Sequence, residues 1–276
     1  MNGMRLRERF RTALVTGAAS GLGAAFVSML AAEGVEVWGT SRRRERVPDR
    51  EGFHGLALEL ADVDSIARAW EEVERASGGV DLVINNAGEG VFAAFLELTD
   101  AEHARQIEVL LCGPAALARR ALRHMSARGG GCLVNVTSIA GEFPVPYLAA
   151  YSAAKAGLSA LTAAMLLESG HAPVRLIDFR PGDYRTRFNE AMRPPADDPA
   201  QARARRVWNR LEALLRRAPT PDRAARDLRA ALLSGRCGIV RSGSLFQAGL
   251  APFLQRFASQ GLSRRVQRRY FELPEA

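Results

Sequence analysis

The sequence predicts an α/β fold built on a mostly parallel sheet with helices on both faces. Two observations carry that expectation. Short β-like runs alternate with helical patterns from residue 12 to about residue 241. Each run is bounded by Gly, Pro, Asn or Asp, as strands that feed crossover helices are.

The elements follow in order. Thr12–Thr16 is a β-branched and apolar run closed by Gly17, and from Leu22 to Glu33 the apolar residues recur at helical spacing. Val35–Gly39, Leu56–Leu60, Val80–Ile84, Cys132–Val136 and Val174–Phe179 read as further strands, with helices at about 63–77, 100–127 and 150–169 between them. Pro194 to Pro199 forms a Pro/Asp cluster, after which residues 203–217 set Val207, Trp208, Leu211 and Leu215 on one helical face. Thr220-Pro221 supplies an N-cap with proline at N1 for a helix to about Leu233. Gly238–Arg241 completes the strands. In the tail, Phe246, Leu250, Phe253 and Phe257 form one stripe interrupted by Pro252, and Leu262, Val266 and Tyr270 another. With no internal repeat and no low-complexity linker, residues 1–276 read as one domain. Its core spans 11–241, a substrate-side loop and helix span 183–217, and a basic extension spans 244–276.

The chain has 276 residues, ample for a buried core, and its 47% hydrophobic and 25% charged fractions exclude a disordered or fibrous protein. Its basic start runs into glycines after a short apolar stretch and does not read as a secretory signal. Cys112, Cys132 and Cys237 make no paired framework, so a reducing, cytoplasmic setting is expected. His54, His103, His124 and His171 lack ligand spacing, so no metal site is expected. Of the 38 basic residues all but Lys155 are arginine. The net charge of +8 is uneven: residues 200–276 hold 16 Arg against 5 acids, and residues 1–199 hold 22 basic against 25 acidic.

Gly17, Ser20, Gly21, Leu22 and Gly23 form the turn between the first strand and the first helix. Glycines there permit a tight turn and let a dinucleotide pyrophosphate rest on the helix N-terminus. The second strand ends at Thr40-Ser41-Arg42-Arg43-Arg44 without a carboxylate to bind a ribose 2′-hydroxyl. Ser41 and the Arg42 guanidinium suit a 2′-phosphate, so the cofactor expected is NADP(H).

Tyr151 and Lys155 share one helical face at i, i+4. A nearby ammonium stabilises a phenolate and draws its pKa down towards working pH, as an acid/base catalyst requires. With four tyrosines in 276 positions, chance places the one lysine four residues after a tyrosine about once in seventy. Tyr147 has Tyr151 at its own i+4 position and no cationic partner.

These motifs resemble the short-chain dehydrogenase/reductase family, in the branch with a T-G-x-x-x-G-x-G turn. The likeness covers about residues 11–241 and rests on Thr16–Gly23, Asn85-Asn86-Ala87-Gly88, Ser138, Tyr151/Lys155 and Pro181-Gly182-x-x-x-Thr186, in the family's order. It implies a Rossmann-type, doubly wound, seven-stranded sheet and reversible hydride transfer between a nicotinamide and a carbonyl or alcohol. It further implies that Tyr151 is the general acid/base and that Ser138 hydrogen-bonds the reacting oxygen. Lys155 would bind the nicotinamide ribose. Asn86, Ala87 and Gly88 would support the adenine-side ribose, with Glu59 and Leu60 beside the adenine. Pro181 and Gly182 would line the nicotinamide and Thr186 would anchor its carboxamide. Family members are commonly dimers or tetramers, so a homo-oligomer is expected.

One position departs from the family. Leu110, three residues before Gly113, stands where a fourth catalytic residue, Asn, is expected, and a leucine side chain cannot hold the water of a proton relay. Substrate determinants are sought at Glu89, Phe92, Ile139, Glu142, Phe143, Val145, Tyr184, Phe188, Met192 and Trp208. Most are apolar or aromatic, which points to a hydrophobic small-molecule carbonyl or alcohol. Two other readings remain open: a 3-oxoacyl reductase whose carrier docks on the basic 203–217 helix, and a cofactor-binding homologue without catalysis. The tail's stripes beside arginines are compatible with peripheral membrane contact, or with packing on the domain or a sister subunit. Nucleic acid is not expected, since no stacking platform accompanies the charge.

Overall fold

The computed structural model describes residues 4–169 and 173–274; His171 lies outside them. Seven strands form one sheet: β1 (Thr12–Val15), β2 (Glu36–Ser41), β3 (Phe53–Ala57), β4 (Leu82–Asn85), β5 (Gly131–Val136), β6 (Val174–Pro181) and β7 (Gly238–Ser242). Their order is β3-β2-β1-β4-β5-β6-β7, and every neighbouring pair is parallel. The strand order reverses between β1 and β4, which opens a crevice at the carboxyl ends of the strands.

The layers follow from the two-residue period of the strands. Ala13 and Val15 of β1, with Leu82 and Ile84 of β4, face α1 (Gly21–Ala32) and α7 (Pro221–Leu233) through Phe26, Leu30, Leu228 and Ala231. Leu14 and Val83 point the opposite way, against Ile66, Trp70 and Val73 of α2 (Val63–Ser77) and Leu117, Ala121 and Met125 of α4 (Gly113–Ala127). The same layer takes Met165 of α5 (Ala149–Glu168). Although α5 is long and apolar enough to cross a membrane, here it packs on β5 and β6. A third cluster joins Phe92, Leu148 and Met192 to Val207, Trp208 and Leu211 of α6 (Ala202–Arg217) and caps one end of the sheet.

Two expected elements are corrected. The third strand is Phe53–Ala57 and not Leu56–Leu60, because Val37 to Ser41 of β2 pair in register with Phe53 to Ala57. Leu58 and Leu60 are buried as loop residues that face α2. The expected helix over 100–127 is interrupted: α3 (Asp100–Ile107) passes into a π turn at Glu108–Cys112 before α4 begins. Pro114 accounts for the interruption, since it has no amide hydrogen to offer the carbonyl of Leu110 four residues earlier.

The tail forms a π turn at Phe246–Leu250, then α8 (Ala251–Gln255) and α9 (Gln260–Tyr270). Its stripes do not all pack on the domain. Phe253, Phe257, Leu262 and Val266 are each at least half exposed, whereas Phe271 is buried.

Candidate active site

The crevice at the strand ends holds a cavity of about 520 Å³ that runs from the glycine turn to Tyr151. A second, more polar cavity lies at the opposite end of the strands, and none of the expected site residues lines it. All the expected catalytic and cofactor residues except Gly23 line the first cavity, and Gly23 lies directly beneath its floor.

The floor is built by close backbone packing. Gly17 and Gly21 adopt φ of +68° and +56°, in the left-handed region that favours glycine. A Cβ on Gly23 would stand 2.1 Å from the Gly17 carbonyl oxygen and 2.6 Å from Asn86 Nδ2. Asn86 Nδ2 donates to the Thr16 carbonyl at 2.9 Å, and the amides of Asn86 and Ala87 donate to Thr16 Oγ1 at 2.9 and 3.0 Å. The β4 end thus fixes the shape of the glycine turn. Ser20, the N-cap of α1, makes no side-chain cap bond, so the first-turn amides remain available to an anion. Thr186 lies over the same turn, with its methyl 3.4 Å from the position of a Cβ on Gly21. This cradle fits a dinucleotide pyrophosphate.

The far end carries four charged side chains in series. Arg42 Nη1 pairs with Glu89 at 3.1 Å, and Arg105 pairs with Glu89 at 2.8 Å and with Glu59 at 3.3 Å. Ser41 and Leu60 flank this group along the cavity wall. Arg105 escaped the sequence reading because it sits in the last turn of α3, with no motif around it.

Tyr151 and Lys155 stand in the first turns of α5, with Lys155 Nζ 5.9 Å from the Tyr151 ring centre. Lys155 Nζ donates to the Val136 carbonyl at 2.7 Å. Burial lowers the Lys155 pKa to about 8, while the charge of Asp178 pulls it upward. Burial also raises the Tyr151 pKa, against the pull of a hydrogen bond with Ser138, and the charge of Asp183 adds to the rise. The lowering expected for Tyr151 therefore gives way to desolvation, and the phenol is held in its proton-bearing form. Ser138 caps a short 3₁₀ turn and accepts from the Ala140 amide at 3.0 Å.

The fourth family position differs in a definable way. Leu110 is fully buried in the π turn, and its Cδ2 lies 3.2 Å from the position of a Cβ on Gly88. Its neighbour Val109 lines the cavity instead.

Among the expected substrate determinants, Glu89, Ile139, Phe143, Val145, Tyr184 and Phe188 line the cavity. Phe92, Met192 and Trp208 are core residues of the capping cluster. Glu142 turns away to Arg180 and Arg241, the latter at 2.6 Å. The sequence reading missed Asp183, Gln247 and Tyr270, which also line the cavity. Asp183 sits inside the Pro181-to-Thr186 motif, whereas Gln247 and Tyr270 reach the site only through the folding back of the tail.

Residues 11–197 match the family model for short chain dehydrogenases. An uncharacterised oxidoreductase of Schizosaccharomyces pombe is 34% identical over 165 residues, 59% of this chain. The chain spans only 56% of that relative's length. A cis-4-hydroxycyclohexanecarboxylate dehydrogenase of Sinomonas cyclohexanicum is 36% identical over 209 residues, covering 73% of this chain and 83% of its own. A solved short-chain dehydrogenase from Streptomyces avermitilis superposes with a TM-score of 0.78 at 30% identity, covering 95% of this chain and 96% of its own. With this sheet order and this cleft, the chain belongs to the short-chain dehydrogenase/reductase family of oxidoreductases.

Proposed function

We propose that this protein reduces lipophilic carbonyl compounds to alcohols with NADPH as the hydride source. The observation that carries the reading is the convergence of Ser138, Tyr151 and Lys155 on one mostly apolar cleft, continuous with the glycine-turn cradle. The nicotinamide, when bound, supplies the hydride. Pro181, Gly182 and Thr186 would hold its end of the cofactor, and Gly17 to Gly23 the pyrophosphate.

The chain's own residues perform the proton work. Tyr151, kept protonated by burial, donates to the carbonyl oxygen as negative charge develops there. Ser138 donates a hydrogen bond to the same oxygen and fixes its position. Lys155, tethered to the Val136 carbonyl, keeps two further N–H donors for the ribose and a positive charge beside the phenol. Phe143, Val145, Leu148 and Phe188 give the cleft apolar walls and exclude water from the reacting centre.

The NADP(H) preference rests on the acid-free end of β2. Ser41 and Arg42 lie at the far wall with Arg46, where a 2′-phosphate would gain charge-assisted bonds. Arg105 supports the exchange, because it can retain Glu89 when Arg42 turns to the phosphate. An oxidation screen of NADPH and NADH across ketones of graded chain length tests the whole reading. NADPH consumption that rises with chain length supports it; no consumption with any ketone overturns it.

A further inference from the structure

Asp183 follows Pro181-Gly182 at the end of β6 and lines the cleft together with Ser138 and Tyr151. Gln247 Nε2 donates to Asp183 Oδ2 at 2.6 Å, and the Asp183 amide donates to Gln247 Oε1 at 3.2 Å. This reciprocal pair ties the tail's π turn to the end of β6. It also leaves the acid with a single neutral donor, where a carboxylate offers about four acceptor sites.

Other carboxylates in and around the crevice have a guanidinium. Asp178 pairs with Arg180 at 2.6 Å, Glu142 with Arg241 at 2.6 Å and Glu89 with Arg105 at 2.8 Å. In a chain with 38 basic residues, Asp183 has no cationic partner among the described residues. Its charge acts on two phenols that line the same cleft, Tyr151 from α5 and Tyr270 from α9. Burial pushes its own pKa up. A carboxyl so placed is costly to ionise alone, and an entering cation compensates that cost most fully.

Because the same carboxyl acts on Tyr151, the complementary group belongs close to the carbonyl that Tyr151 protonates. We propose that Asp183, held by Gln247, is a specificity-determining residue that pairs with the ammonium of a lipophilic amino ketone. A hydroxyl in the same place would gain a hydrogen bond but no countercharge, so the amine is the favoured partner. The inference rests on the carbonyl-reductase reading of this cleft and narrows its substrate class.

Two experiments on the full-length protein test it. Calorimetry at pH 7 with hexylammonium and hexan-1-ol reads binding without turnover. The ammonium should bind about tenfold more tightly; Asp183→Asn should erase the difference and Asp183→Glu should keep it. Equal affinity in the wild type overturns the proposal even if the Asn variant fails to fold. In turnover, a 1-(dimethylamino)alkan-2-one should exceed the alkan-2-one of equal chain length about tenfold in kcat/KM. Turnover of both ketones without that preference overturns the amine assignment and leaves the reductase reading standing. Ammonium binding without turnover of any ketone supports the Asp183 site and overturns the reductase reading.

Discussion

Arg42 Nη1 lies 3.1 Å from Glu89, so the guanidinium proposed to bind a 2′-phosphate already has a carboxylate against it. Cofactor choice is then an exchange of partners, decided by whether a phosphate outcompetes Glu89. Arg42→Ala should raise the KM for NADPH about tenfold to a hundredfold and leave that for NADH within about threefold. Glu89→Gln should lower the NADPH value. Steady-state kinetics with both cofactors checks this, and an unchanged NADPH/NADH ratio in Arg42→Ala contradicts it.

The glycine turn gives a prediction that tests packing. A Cβ at position 23 would stand 2.1 Å from the Gly17 carbonyl, so Gly23→Ala must deform the cradle or displace Asn86. Fluorescence titration should show at least about tenfold weaker NADPH binding, with the sheet intact by circular dichroism.

The pH dependence follows from Lys155. Burial lowers its pKa to about 8, so the ammonium is present below that value and lost above it. Tyr151, shifted upward, keeps its proton through the same range. Carbonyl reduction should therefore be level below pH 8 and fall above it as Lys155 deprotonates. A kcat/KM profile that rises between pH 8 and pH 9 would contradict the assignment.

Leu110 yields a prediction opposite in sense to a simple repair. Restoring the family's amide with Leu110→Asn would bury a polar side chain against Gly88, where the leucine is now fully enclosed. The expected result is a stability loss of about 1–3 kcal/mol, seen as a Tm lower by several degrees, without a large gain in turnover. Turnover increased about tenfold or more would show instead that the side chain had been the missing relay.

Local chemistry decided how much could be read in advance. Thr16 to Gly23, Asn86, Ser138, Tyr151 and Lys155 were legible because short-range motifs fix their placement on a strand end or a helix turn. The third strand was misplaced because Phe53-His-Gly-Leu-Ala57 lacks a β-branched run, while the apolar Leu58 and Leu60 next to it belong to a buried loop. Arg105 was silent because its partners Glu59 and Glu89 lie on two other loops. The pairing of Asp183 with Gln247 spans 64 residues and depends on how the tail folds back, which no local pattern encodes.

The reductase account stands most directly on Tyr151. The measurement is NADPH oxidation by wild type and Tyr151→Phe on the best ketone of a graded series, with NADPH binding measured alongside. The account predicts a loss of about a hundredfold or more in kcat with cofactor affinity within about threefold. Undiminished turnover in Tyr151→Phe would contradict it.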